Sequence, residues 1–176
     1  QADIAARDGQ DPESLYFGRV LVVEARGSPD LPAAVEALEE AGFLVDVELD
    51  VKQARELLVA SHAATEGAPG WQYDAVLVSD VLDMGDAFDV VGEVRTLEKA
   101  QRARESKRLA EQTKRAAMRP GGGVQDDPRL RAQTFVHLPV VVFSSRTAPE
   151  DLRAYKASGM DGCISKPLHR AALLST

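Results

Sequence analysis

The chain has 176 residues, of which 44% are hydrophobic, and its 28 acids and 21 bases give a net charge of −7. This length fits one globular domain with a tail or insertion, and the acidic balance argues against a domain built to bind nucleic acid. No apolar run reaches the roughly 18 residues of a membrane span, the N-terminus is too polar for a signal peptide, and a single cysteine, Cys163, excludes an internal disulfide or a cysteine-built zinc site. These features predict a cytoplasmic domain, and the start at Gln1 rather than Met predicts a fragment of a longer protein.

Strand-like and helix-like segments alternate along the chain after a tail, residues 1–17, that lacks periodicity and is predicted to be flexible. Five short segments rich in apolar and β-branched residues predict strands, and those at 20–23, 75–78 and 140–143 are typical of strands buried on both faces. The five segments lie at 20–23, 43–47, 75–78, 140–143 and 163–164. Helix-forming stretches lie at 32–41, 51–60, from about Asp86 to 118, at 149–157 and at 168–174. The order βαβαβαβαβα predicts a parallel sheet with helices on both faces.

One segment departs from this pattern in length and in charge. Residues 93–119 hold nine bases and four acids, a charge of +5, so the rest of the chain carries −12. Oppositely charged residues recur there at helical spacings, as in Glu98 with Arg102. We therefore expect an insertion over about 98–136. It would be a helix extending beyond the globular body, then a turn near 121–127 and an irregular return. Its function is open: a solvated helix, or a docking arm for an acidic partner or a second copy.

Polar side chains follow four of the predicted strands. They are Glu24, Ser79 with Asp80, Ser144, and Lys166 before Pro167. Functional residues of a parallel sheet gather where the strands end. We therefore expect these side chains to meet at one rim.

Five short runs at matching intervals resemble the receiver domain of two-component response regulators. They are AGF at 41–43, Asp50-x-x-x-Ala54-x-x-x-Leu58, PVVVFSS at 139–145, ASGMD at 157–161, and SKP at 165–167. The resemblance covers about residues 19–175 apart from the insertion. It implies a flavodoxin-like (CheY-like) fold, with a five-stranded parallel sheet and helices on both faces.

The resemblance also implies what the rim residues do. In receivers, an aspartate after strand three takes a phosphoryl group from a histidine kinase, and two acids after strand one help to bind Mg²⁺. Ser144 matches the hydroxyl that engages the phosphoryl oxygens. Lys166 matches the lysine that pairs with the phosphate, and Pro167 matches the proline that follows it in a cis peptide. Glu24 takes the first acid position and is a weak candidate for the metal.

Two departures put phosphorylation in question. Ala25 stands at the second acid position, and the ungapped alignment puts Ser79 at the phosphoacceptor position. Asp80 is then one residue late and points to the other face of its strand. This favours a degenerate receiver, or pseudo-receiver, which is a signalling module rather than an enzyme. No cofactor is certain for such a domain. The alternative is an active receiver that uses Asp80 and Mg²⁺, which needs an insertion and a compensating deletion around Asp80.

Further expectations concern partners and contacts. The partners would be proteins, either a histidine kinase or other domains of the parent chain, with a homodimer possible and neither nucleic acid nor membrane expected. Lys166 should form a partly exposed pair with Glu24 or Asp80, and Cys163 should be a buried small hydrophobe. A flavodoxin-like domain that binds a small molecule is disfavoured, because a phosphate-binding loop is absent from the sequence.

Overall fold

Five strands and four helices alternate along residues 17–63, 71–117 and 136–167, the parts of the chain that this computed structural model describes. The elements are β1 (Gly18–Val23), α1 (Asp30–Glu40), β2 (Phe43–Glu48), α2 (Val51–Ala63), β3 (Ala75–Ser79), α3 (Ala87–Ala117), β4 (Val140–Ser144), α4 (Pro149–Ser158) and β5 (Gly162–Ser165). Every one of them was predicted, with ends that differ by a few residues. The predicted helix at 168–174, the tail before residue 17 and the turn at 121–127 lie outside the described residues.

The strands form one parallel sheet in the order β2-β1-β3-β4-β5. The predicted flavodoxin-like fold is therefore confirmed. Central strands such as β3 are buried on both faces, which explains why their sequences do not alternate between apolar and polar residues. Because all strands run in the same direction, the residues that follow β1, β3, β4 and β5 share one edge of the sheet, which we call the rim.

Two hydrophobic clusters cover the two faces of the sheet. One packs α2, α3 and α4 against the sheet through residues such as Leu58, Val90 and Tyr155. The other packs α1 against the opposite face through Ala34 and Leu38. The sheet thus lies between α1 and α3.

The helix α3 begins at a reciprocal cap. The Phe88 backbone N–H donates to Asp86 Oδ1 at 3.0 Å, and the Asp86 backbone N–H donates to Asp89 Oδ2 at 3.2 Å. This confirms the predicted start of the helix near Asp86, because both carboxylates satisfy N–H groups that the first turn leaves without helical partners. The helix then continues for 31 residues, about 46 Å at the usual rise per residue. No helix of the described residues is long and apolar enough to cross a membrane.

Candidate functional site

Lys166 lies at the centre of a buried cluster at the rim. Its Nζ donates to Ser79 Oγ at 2.7 Å and contacts the two carboxylate oxygens of Glu24 at 3.2 and 3.4 Å. The same ammonium lies 4.7 Å from the centre of the Phe143 ring. Each partner comes from the end of a different strand, so the parallel topology brings them together. The Lys166–Pro167 peptide bond is cis, as the sequence predicted.

The lysine–glutamate pair is more buried than the sequence suggested. We expected a partly exposed pair, but the side chains of Lys166 and Glu24 are 15% and 3% exposed. The reason is their position: Glu24 directly follows the four buried residues that end β1, and Ser79, which completes the cluster, is itself buried. Removing one member of such a pair leaves the other charge buried and without compensation.

Asp80 lies in a second, adjacent cluster. Its Oδ2 accepts a hydrogen bond from Ser144 Oγ at 2.7 Å and one from Arg146 Nε at 3.2 Å. Its side chain is 2% exposed, and its Oδ1 has no hydrogen-bond partner among the described residues. The hydrogen bond to Asp80 raises the pKa of the Arg146 guanidinium above its usual range.

The hydroxyl of Ser144 holds this second cluster together. It lies 2.9 Å from Tyr155 Oη and accepts the Arg146 backbone N–H at 2.8 Å. A serine hydroxyl has a single proton to donate. Because the Asp80 carboxylate can only accept, the proton of Ser144 goes to Asp80, and the Tyr155 hydroxyl then donates to Ser144.

The two clusters lie on opposite faces of β3. Ser79 and Asp80 are neighbours in sequence, and successive side chains of an extended strand point to opposite sides. The structure therefore brings Ser79, Lys166 and Glu24 together, and Asp80 with Ser144, without a contact between Lys166 and Asp80 among the described hydrogen bonds.

Sequence reasoning missed two residues of the second cluster, Arg146 and Tyr155. Tyr155 lies on the buried face of α4, where nothing in the sequence distinguishes it from a residue of the core. Arg146 is 58% exposed and follows the strand by two residues, which leaves no periodic signal. Cys163 is partly buried, and both burial and the charge of Asp80 raise the pKa of its thiol above 9.0. That environment suits the small packing residue we expected rather than a reactive thiolate.

The residues of the rim do not fit a magnesium ion. Mg²⁺ is usually held by one or two carboxylates with water and phosphate. Glu24 instead accepts the Ala25 backbone N–H at 3.0 Å and faces the Lys166 ammonium. The neighbouring position is an alanine, and Asp80 is turned to the other face. Within the described ranges, no group of three or more His, Cys, Asp or Glu side chains is placed to hold a metal.

The similarity of this chain to known proteins is found in its structure. No family model matches the sequence, and no curated protein matches it. Solved structures of receiver domains do match. The chemotaxis response regulator CheY4 of Vibrio cholerae has a TM-score of 0.52 at 18% identity, with 90% of this chain and 93% of that chain covered.

Two receiver domains of histidine kinases are similar to the same degree or more. One, from a mutant of the Arabidopsis thaliana histidine kinase CKI1, has a TM-score of 0.62 at 20% identity over 91% of this chain and 88% of that chain. The other, from the sensor histidine kinase PA1611 of Pseudomonas aeruginosa, has a TM-score of 0.53 at 18% identity over 90% and 92% of the two chains. That structure has a magnesium ion in its active-site cleft. At these identities the comparisons establish that this chain has the CheY-like receiver fold.

Proposed function

We propose that this chain is a receiver-like signalling domain of a two-component or phosphorelay protein, and that it acts by protein–protein contact without conventional phosphorylation. The proposal rests on the side chains that the Lys166 ammonium contacts. This ammonium contacts the hydroxyl of Ser79 at 2.7 Å and the carboxylate of Glu24. In the family that the sequence resembles, the corresponding lysine serves an aspartate that accepts the phosphoryl group.

The chemistry of phosphoryl transfer supports this proposal. A carboxylate attacks phosphorus when positive charge beside it neutralises the charge that develops in the transition state. Here the charge of Lys166 is already compensated by Glu24 at 3.2 Å. The residue beside the lysine is a buried serine, and the carboxylate that follows this serine, Asp80, is bound to Ser144 and Arg146 instead.

A second candidate function, an active receiver that uses Asp80, is favoured by one observation. The buried Oδ1 of Asp80 has no hydrogen-bond partner among the described residues, while Oδ2 is held by a hydroxyl and a guanidinium. A phosphoacceptor aspartate likewise needs one carboxylate oxygen that is free to attack phosphorus. In this alternative a histidine kinase supplies the phosphoryl group and Mg²⁺ assists.

Intact-mass measurement after incubation with acetyl phosphate and Mg²⁺ separates the two functions. We expect the natural chain to stay unmodified, and the variant with Ala25→Asp and Ser79→Asp to gain Mg²⁺-dependent labelling. Ala25→Asp with Ser79→Asn is the matched control and should stay unlabelled, because an amide cannot accept the phosphoryl group. Labelling of the natural chain that Asp80→Asn abolishes would establish the second function instead.

The proposed partners follow from the proposed function. They are a histidine kinase or other domains of the parent protein, met in the cytoplasm. The domain itself is not proposed to be an enzyme, and neither nucleic acid nor membrane is proposed as a ligand.

A further inference from the structure

The C-terminal half of α3 leaves the body of the domain. We call residues 102–117 the arm. Up to Gln101 the helix is anchored, since the side chains of Glu98 and Gln101 are buried. From 102 to 115 every described side chain is exposed or only partly buried. The arm has 16 residues, about 24 Å of helix, with six bases and two acids. Its charge of +4 contrasts with −11 for the rest of the chain, the remainder of a net charge of −7.

The base of the arm is held rigidly at the edge of the sheet opposite the rim. Glu98 Oε1 accepts the Leu138 backbone N–H at 2.9 Å, just before β4 begins. Gln101 Oε1 lies 3.1 Å from His62 Nε2 at the end of α2. These contacts are at the amino-terminal ends of the strands, so the arm projects away from Lys166 and its neighbours. What the arm binds is therefore independent of whether the rim is phosphorylated.

A projecting helix of this composition gains stability from a partner of opposite charge. Most of the stability of a helix in a protein comes from the packing of its apolar face. The arm has few apolar side chains with which to pack, and Leu109, the largest of them in the described part, is 43% exposed. Its bases repel one another, which an acidic surface would relieve.

The helix α1 offers such an acidic surface. It contains no basic residue, and its exposed face carries Glu36 and Glu39. Its last turn lacks a base to offset the negative end of the helix dipole, an end where cations are stabilising. The i,i+3 spacing of Glu36 and Glu39 equals that of Arg104 and Lys107 on the arm. The two helices therefore present complementary charge at matching intervals.

The arm meets this surface between molecules rather than within one. The helix α1 packs on one face of the sheet, while α3 packs on the other. The sheet thus keeps an arm from the α1 of its own chain. We propose that the arm docks on α1 of a second copy of this chain, each arm on the partner's α1, in a two-fold dimer that weakens with salt.

Sedimentation equilibrium of the full chain at about 50 mM and about 500 mM NaCl tests the dimer, since salt screens exposed charge pairs. We expect dimerisation at low salt and an association constant lower by about tenfold or more at high salt. Arg104→Glu with Lys107→Glu should abolish the dimer, and so should Glu36→Lys with Glu39→Lys. The control, Lys52→Glu with Lys156→Glu, makes the same change of charge on exposed residues of α2 and α4 and should still dimerise.

Mixing the two reversed variants is the decisive measurement. At the substituted positions, the arm-reversed chain has acids on both its arm and its α1, whereas the α1-reversed chain has bases on both. Neither should associate alone, but an equimolar mixture should form the heterodimer, because both contacts are again between opposite charges. Circular dichroism of each variant checks that the helices persist.

Three outcomes would overturn the proposal. One is a natural chain that remains monomeric at low salt. Another is a dimer that survives α1 reversal, which would place the acidic surface elsewhere. The third is a mixture of reversed variants that does not associate. A monomeric chain whose arm binds duplex DNA or anionic vesicles would show that the arm serves a polyanion instead.

Discussion

Arg95 ties the long helix to the far end of the sheet, and its replacement by alanine gives a sharp test of the packing there. Its Nε donates to the Gly159 carbonyl at 2.9 Å, and its two terminal nitrogens reach Glu98 Oε1 at 2.8 Å and Asp161 Oδ2 at 2.6 Å. One of these nitrogens also donates to the Leu138 carbonyl at 3.1 Å. One side chain thus connects α3 to the chain entering β4 and to the chain entering β5.

The burial of these groups sets the expected loss. The side chains of Arg95 and Glu98 are 16% and 4% exposed, whereas Asp161 is 34% exposed. Removing one member of a buried ion pair costs about 3–5 kcal/mol, because a charge stays buried without its partner. Glu98 keeps the Leu138 N–H and the nearby His137, and Asp161 keeps contact with solvent. We therefore expect Arg95→Ala to lower the free energy of unfolding by about 3 kcal/mol, the low end of that range.

Urea unfolding followed by tryptophan fluorescence measures this loss. Trp71 is the single tryptophan, and its Nε1 donates to the Val136 carbonyl at 3.3 Å, close to the network. The control is Arg55→Ala on α2, which removes a pair at 2.6 Å with Glu93 of α3. Because these two side chains are 48% and 19% exposed, against 16% and 4% for Arg95 and Glu98, that loss should be smaller, about 0–1 kcal/mol. Equal losses in the two variants would refute the reasoning from burial.

Two further predictions concern the rim and acid stability. Lys166→Met should lower the free energy of unfolding by about 3 kcal/mol because Glu24 is left buried and unpaired, and adding Glu24→Leu should restore most of it in the same urea assay. Burial raises the pKa of the Asp161 carboxyl, but its hydrogen bonds and the neighbouring cationic groups lower it by more, to below 3.8. The resulting stabilisation is present above pH 3.8 and lost as the pH falls through the lower pKa of the folded state. Asp161→Asn should therefore flatten the loss of stability in acid, and an unchanged slope would contradict this.

The fold followed from the sequence because the central strands are uninterrupted apolar runs bounded by turn residues. Such runs as 20–23 and 140–143 are buried on both faces, and in an alternating βα chain that pattern leaves few arrangements. The convergence of Glu24, Ser79 and Lys166 followed from the same logic, since residues after parallel strands share an edge. Both inferences depend on the pattern of apolar residues, which can be read directly from the sequence.

The sequence pattern could not predict the burial of the Lys166 pair or the contacts of Arg95 and Arg146. Arg95 contacts Gly159 and Asp161, 64 and 66 residues further along the chain. Nothing in the local sequence distinguishes it from the other bases of a charged helix. The depth of a side chain at the rim depends on the neighbouring loops and helices, and their positions are set by packing rather than by period.

The register of β3 favours the first of the two functions proposed for the rim. Val76 and Val78 belong to the cluster under α2 and α3, and Leu77 to the cluster under α1. Ser79 lies on the side of Leu77, and Asp80 on the side of Val78. Bringing Asp80 to Lys166 would require the strand to slip by one residue, which would exchange the faces of all three apolar side chains.

Both faces of β3 are buried, so a difference in polarity between them would not prevent that slip. The shapes of the side chains and the pairing of the strands prevent it. Leucine would have to enter a space filled by valine, and overpacking of this kind costs about 1–3 kcal/mol for each misplaced side chain. The ladders to β1 and β4, which pair Val78 with Val23 and with Val142, would also have to shift. A carboxylate therefore reaches Lys166 by substitution at position 79 and not by rearrangement of Asp80. For this reason, labelling of the variant with Ala25→Asp and Ser79→Asp, beside an unlabelled control with Ala25→Asp and Ser79→Asn, would show that a carboxylate at position 79 can act as the phosphoacceptor.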